Sequence, residues 1–189
     1  MKALKSANKR HAQRDRGNDL YQTPPGAVEA LLRVERLPLK IWEPCCGPGS
    51  IVNVLRAHGH EVCASDLNNY AVPITTHWGV DFLMERKAPN GAQCILTNPP
   101  YSLATEFVKH ALELCPRVIM LLRLEFMAAA KRKHLIPKAL RIHVFTRRLV
   151  MHRHGWTGKK ASPRDNHAWY VFDAGHNGPT QLHLIGGAA

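Results

Sequence analysis

Apolar positions along this chain follow two rhythms, one suited to strands and one to helices. Short runs at 40–43, 61–64, 94–96, 117–122, 142–145 and 169–172, bounded by Gly, Pro or polar residues, read as buried strands. The run at 117–122 is the strongest of them. Between the runs the spacing becomes helical: Val28, Leu31 and Leu32; then Ile51, Val54 and Leu55; then Phe107, Val108, Ala111, Leu112 and Leu114. Thr23 is the expected cap of the first helix, with Pro24 in its first turn and Leu37-Pro38 at its end. Gly59 closes the second, and Ser102 is the expected cap of the third. A basic helix interrupted near Pro137 is expected at 127–140, and residues 79–83 read as a third strand end. The segment 68–76 is ambiguous, because Pro73 breaks any long helix. Strands alternating with helices specify a doubly wound α/β fold, with the last two strands as antiparallel neighbours at one edge.

Length and composition narrow this picture. A chain of 189 residues with 45% hydrophobic content builds one α/β core and leaves no room for a second. Residues 1–18 carry Lys2, Lys5, Lys9, Arg10, Arg14 and Arg16 with little apolar content and read as a basic flexible arm, leaving 19–189 as a single domain. No apolar run approaches a membrane span and the start lacks the apolar centre of a secretory signal, so a soluble cytoplasmic protein is expected. Five cysteines, an odd number without a C-x-x-C pair, point to reduced thiols, and adjacent Cys45 and Cys46 read as small apolar residues.

Charge changes the picture most. The chain carries a net charge of +12, and no acid stands between Glu125 and Asp165 while Lys and Arg recur throughout. A bias this local favours a polyanionic partner, and nucleic acid before anionic membrane because no amphipathic anchor accompanies it. The long connection at 146–167, with Arg147, Arg148, Arg153, Trp156, Lys159 and Lys160, is the expected nucleic-acid-binding loop. His134, His143, His152, His154 and His167 scatter among these cations and read as phosphate contacts or plain surface rather than metal ligands.

The candidate chemistry lies at strand ends. Leu96-Thr97-Asn98-Pro99-Pro100-Tyr101 follows a buried strand, on the sheet edge where open α/β folds bind ligands. The Asn98 side-chain oxygen and the Pro99 carbonyl suit one NH2 group whose lone pair is delocalised into a ring or a carbonyl. Accepting both its protons draws that lone pair toward an electrophile. Pro99 and Pro100 hold the acceptors still, and Tyr101 offers a face for stacking. Upstream, Pro44-Cys45-Cys46-Gly47-Pro48-Gly49-Ser50 joins a strand to a helix, where glycines admit close backbone approach and the helix amino terminus offers free N–H groups. Asp66, about twenty residues on at the end of the next strand, suits the two hydroxyls of a ribose. Asp81 suits an adenine amino group and Phe82 the flank of its ring or the plain core.

The order Glu43-Pro44-x-x-Gly47-x-Gly49, Asp66, Asp81-Phe82, Asn98-Pro99-Pro100-Tyr101 resembles the class I S-adenosylmethionine-dependent methyltransferases. With Tyr21-x-Thr23-Pro24 upstream and the tail from Arg147 to Trp169, it is most similar to the compact phage and prophage DNA methyltransferases that act on adenine N6. The resemblance implies a Rossmann-like, mostly parallel seven-stranded sheet with helices on both faces and the last strand antiparallel. It implies S-adenosyl-L-methionine as cofactor, no metal, and DNA as partner. Glu43, Gly47 and Gly49 would border the methionine part, Thr23 its carboxylate, Asp66 the ribose, and Asp81 with Phe82 the adenine. Asn98 and Pro99 would hold the target N6 while Tyr101 stacks on a base flipped from the duplex. RNA adenine or guanine amino groups and a protein glutamine amide are the alternative substrates, since the same Asn-Pro-Pro-Tyr loop serves those. Family members usually carry a separate recognition domain, so here the 146–167 loop is expected to do any sequence reading.

Overall fold

The computed structural model describes residues 20–74, 77–153 and 165–186, and the side chains of 152 and 153 are not described. The expected arm at 1–18 lies outside the described residues, as do Trp156, Lys159 and Lys160. The elements in chain order are β1 (Tyr21–Gln22), α1 (Pro25–Val34), β2 (Lys40–Glu43), α2 (Ser50–Ala57), β3 (Glu61–Asp66), β4 (His77–Trp78), β5 (Cys94–Thr97), α3 (Ala104–Leu114), β6 (Arg117–Arg123), β7 (Ala139–Phe145), β8 (His152–Arg153), β9 (His167–Asp173) and β10 (Gln181–Ile185).

Eight strands form one sheet in the order β10-β7-β9-β6-β5-β2-β3-β4. All neighbours run parallel except β9, which is antiparallel to both β6 and β7. The expected mostly parallel α/β sheet is therefore present, with one strand more than seven. The extra one is β10, which adds to the edge of β7 in parallel register, so the antiparallel strand is the penultimate one and lies inside the sheet.

Alternation along the central strands builds two cores, one on each face. Ile119 and Leu121 of β6 pack with Val28 and Leu31 of α1 and Leu55 of α2 on one face. Val118, Met120 and Leu122 of the same strand pack with Phe107 and Val108 of α3 on the other. Each of these fully buried side chains contributes about 1.5–3 kcal/mol through lost apolar contact with water. Trp42 of β2 crosses into the second core and donates its indole N–H to Ser65 Oγ at 2.8 Å, so its polar end is satisfied.

Three expected elements differ. No helix forms at 127–140; the chain instead runs through 3-10 turns at Leu124–Ala128, Ala130–Arg132 and Ile136–Lys138. Pro137 forbids a continuous ladder there, and between 127 and 140 only Leu135 and Ala139 are buried, too few for the apolar stripe that would hold a helix on the sheet. Ser102 lies exposed in a 3-10 turn, and neither it nor Thr23 caps a helix: Leu103 and Pro24 occupy the cap positions without a side-chain bond. The connection after β7 contains β8, which pairs antiparallel with β1 in a separate two-stranded ribbon, Tyr21 opposite Arg153.

Candidate active site

The sheet order reverses between β2 and β5, because the chain leaves β2 toward β3 on one side and β5 toward β6 on the other. The crevice at their carboxyl ends is where such folds bind ligands. A cavity of about 280 Å³ opens there, and Thr23, Glu43, Asp66, Asp81, Phe82 and Asn98 to Tyr101 all line it. Every expected cofactor or catalytic side chain is thus gathered in one place. Gly47 and Gly49 shape the adjoining turn and are not among its lining residues, which here include Cys46, Pro48 and Ser50. Both glycines have positive φ, +49° and +87°. At Gly49 an added Cβ would also lie 2.4 Å from Ile74 Cγ2, so no other residue fits that bend.

Asn98 is held by its nitrogen and open at its oxygen. Its Nδ2 donates to the Tyr21 carbonyl at 3.1 Å and to Thr23 Oγ1 at 3.2 Å, while the buried Oδ1 has no partner. An unpaired buried amide oxygen costs about 1–3 kcal/mol, a cost that a donor entering the cavity removes. Thr23 Oγ1 accepts from Asn98, which leaves its own hydroxyl proton able to donate. It thereby serves the site directly, in place of the helix cap expected of it.

Glu43 ends β2 and is 1% exposed, with Oε2 unpartnered. Burial raises its carboxyl pKa well above the ordinary value, the Asp66 charge adds to this, and nearby Thr97 works against it. A cationic ligand group would reverse that balance by pairing with the ionised form. Asp66 accepts from the Gly47 N–H at 2.9 Å and the Asn68 N–H at 2.8 Å, so it ties the glycine turn to the end of β3. Its pKa is nevertheless raised by burial, with those backbone bonds opposing. Asp81 is exposed and accepts from the Leu83 N–H at 3.0 Å. Phe82 is both wall and core: it lines the cavity and packs edge-on against Trp42 at 5.2 Å and beside Phe107 at 4.8 Å. Burial, helped by Asp66 and Glu43, pushes the Cys45 thiol up and keeps it from acting as a thiolate.

Tyr101 is braced on several sides. Its hydroxyl lies 3.0 Å from His167 Nε2, the Arg123 guanidinium sits 4.7 Å from its ring centroid, and the Tyr21 ring stacks at 6.0 Å. His167 is therefore not the surface group expected from its basic neighbourhood; it is 5% exposed, and burial lowers its pKa. His143 is likewise buried, its Nε2 2.7 Å from Glu35 Oε1 on the far side of the molecule. Arg147 and Arg148 are exposed as expected, with Arg148 Nε donating to Asn166 Oδ1 at 3.1 Å. Arg123, which no motif marked, reaches both Tyr101 and Asp165, the latter at 3.1 Å. Among the described residues no helix is long and apolar enough to cross a membrane.

The architecture matches solved structures widely. A candidate RNA methyltransferase from Pyrococcus horikoshii superposes with a TM-score of 0.56 at 17% identity, covering 81% of this chain and 85% of that one. The modification subunit of a candidate type I restriction enzyme from Vibrio vulnificus gives 0.61 at 14% identity, covering 94% of this chain and 50% of the subunit. A candidate class I S-adenosylmethionine-dependent methyltransferase from Listeria monocytogenes gives 0.55 at 12% identity, covering 86% and 63%. The fold is that of the class I methyltransferases. No family model matches the chain, and no curated protein does. Open α/β sheets bind ligands in the crevice outside the carboxyl ends of their strands, the edge on which this cavity opens.

Proposed function

We propose that this protein transfers a methyl group from S-adenosyl-L-methionine to N6 of adenine in DNA. The observation that carries the reading is Asn98, which lines the cavity, is fixed through its nitrogen by Tyr21 and Thr23, and keeps a buried oxygen without a partner. The donor set fits the cofactor. Glu43 faces the cavity with an unpaired oxygen suited to the ammonium of the methionine part, Thr23 with a hydroxyl proton for its carboxylate, and Asp66 with acceptors for ribose hydroxyls. When bound, the sulfonium supplies an electrophilic methyl and a neutral thioether as leaving group.

The residues of this chain then do the positioning. Asn98 Oδ1 and the Pro99 carbonyl accept the two N6 protons and turn the nitrogen lone pair out of the ring. That pair would then point at the donor methyl, and the methylated, cationic nitrogen would release its proton to water. No strong base is required before attack, so rate comes from orientation and proximity. Tyr101 stacks on the extruded base, and stacking worth about 1–3 kcal/mol offsets part of the unpairing. Arg147 and Arg148 are exposed at the start of the segment read as DNA-facing, in which Arg153, Trp156, Lys159 and Lys160 follow in sequence. Each base pair discriminated needs about 1–3 kcal/mol, so a single loop reads a short site.

The test is to incubate the parent and Asn98→Ala with labelled S-adenosylmethionine and DNA, RNA or protein, then identify the methylated residue. N6-methyladenine from DNA in the parent alone is the expected result. Label in RNA or in a protein amide instead, or an unimpaired variant, overturns the reading. DNA binding should weaken steeply with added salt, because phosphate contacts release counterions.

A further inference from the structure

We infer that Tyr21 is the second wall of an aromatic slot for the target base, opposite Tyr101. This rests on the nucleobase-methylating reading above and names a residue that no part of that reading uses through its ring. Four observations meet here. Tyr21 and Tyr101 both line the cavity, whereas Arg123 and His167, which brace Tyr101, do not. The two rings are nearly parallel, 27° apart, with centroids 6.0 Å from each other. The Tyr21 carbonyl is one of the two groups that hold the Asn98 nitrogen. Finally, Tyr21 sits on β1, two residues long and paired with β8 rather than with the main sheet.

A planar base between two rings needs contacts of about 3.5 Å on each face, or a spacing of about 7 Å. At a centroid separation of 6.0 Å the two rings stack on each other, so the slot is closed in this structure and one wall has to yield to admit a base. Tyr101 is the fixed wall, with the Arg123 cation on its ring and the buried His167 on its hydroxyl. Tyr21 is the wall that moves, since β1 is tied to β8 by a ribbon of two residue pairs. Because the same residue supplies a ring for the base and a carbonyl for Asn98, the plane of the base and the acceptor for its amine share one reference. The ribbon also links the slot to the basic segment, since Tyr21 pairs with Arg153.

The experiment compares the parent with Tyr21→Ala, Tyr21→Leu, Tyr21→Phe and Tyr21→Trp. Methyl transfer to unmethylated genomic DNA is followed with labelled S-adenosylmethionine, cofactor binding by calorimetry, and folding by thermal melting. All four variants keep the backbone carbonyl that holds Asn98. Loss of a stacking face predicts a drop of about tenfold or more in kcat/KM for DNA in the Ala and Leu variants. Phe and Trp restore it, and cofactor affinity stays level throughout. A Leu variant as active as Phe, or an Ala variant equal to the parent, overturns the inference and leaves the substrate reading standing. If the parent methylates RNA adenine instead, the reading on DNA fails while the same four variants test the slot on RNA. Label found in a protein amide and in no nucleobase overturns both.

Discussion

Two buried glutamates at the two ends of one functional axis behave in opposite ways. Glu35 follows α1 and is 5% exposed; it receives Arg117 at 2.8 Å, His143 at 2.7 Å and both Nε and Nη2 of Arg141. Glu43, 1% exposed, faces the cavity with an oxygen that nothing meets. Burial raises the pKa of both, but at Glu35 the bonds from His143 and Arg141 outweigh it and bring the value from 4.5 down to about 2. The difference teaches how to tell a structural acid from a ligand-seeking one. The first has partners enough to stay ionised without help, while the second is costly until something cationic arrives.

The largest way to break that contrast is Glu35→Ala. It strands Arg117 and Arg141 without their counter-charge, and losing one member of a buried cluster costs about 3–5 kcal/mol. A fall of roughly 10 °C in Tm, read by scanning calorimetry, is expected for a domain of this size. Asn98→Ala comes next: transfer should drop about 100-fold or more while the melting temperature stays within a few degrees, read by single-turnover kinetics. Glu43→Gln sharpens the comparison from the other side. Cofactor affinity should weaken about tenfold, since a charge-assisted bond becomes a neutral one, yet the fold should be as stable or more so because an amide avoids the cost of burying charge.

The smallest effect is in pH. Glu35, with its folded pKa below the unfolded 4.5, contributes stability that is complete above pH 4.5 and lost as pH falls toward about 2. Glu43, with its folded pKa raised, has the opposite sign: the cofactor-free protein loses stability as pH rises above the same unfolded value. Urea midpoints of the parent and Glu43→Gln should therefore separate as pH climbs from 4 to 8, with the variant higher. Coincident curves would show that the Glu43 carboxyl titrates alike in the folded and unfolded protein, against a raised folded value.

Much of the fold was legible because its signals are local. A strand, a glycine turn and a helix follow one another from Lys40 to Ala57, and the Asn98 loop follows its own strand directly. The meeting of Thr23, Glu43, Asp66 and Asn98 in one cavity followed from where doubly wound sheets place their strand ends. What stayed hidden depends on contacts between distant residues. Glu35 meets His143 across 108 positions and Arg117 across 82, with nothing in any of those segments to announce it. His143 and His167 were misjudged because their neighbours are basic, whereas their strands turn both side chains inward. The missing helix at 127–140 shows the same limit, for that stretch had only Leu135 and Ala139 to bury. The role of Thr23 as an acceptor for Asn98 was masked by a plausible local alternative, the helix cap.

The first helix acts as a strut between these two ends. At its start, Tyr21 and Thr23 seat Asn98, and the Trp169 indole N–H donates to the Ala27 carbonyl at 2.9 Å; at its finish, Glu35 is locked to β6 and β7. Ten residues of helix span about 15 Å, and a rod that short does not bend appreciably. The knot of arginines and histidine is thus the far bearing of the reaction geometry. On the proposed reading, loosening it shifts the seat of the amide, and transfer is expected to fail at a lower temperature than that at which the domain melts.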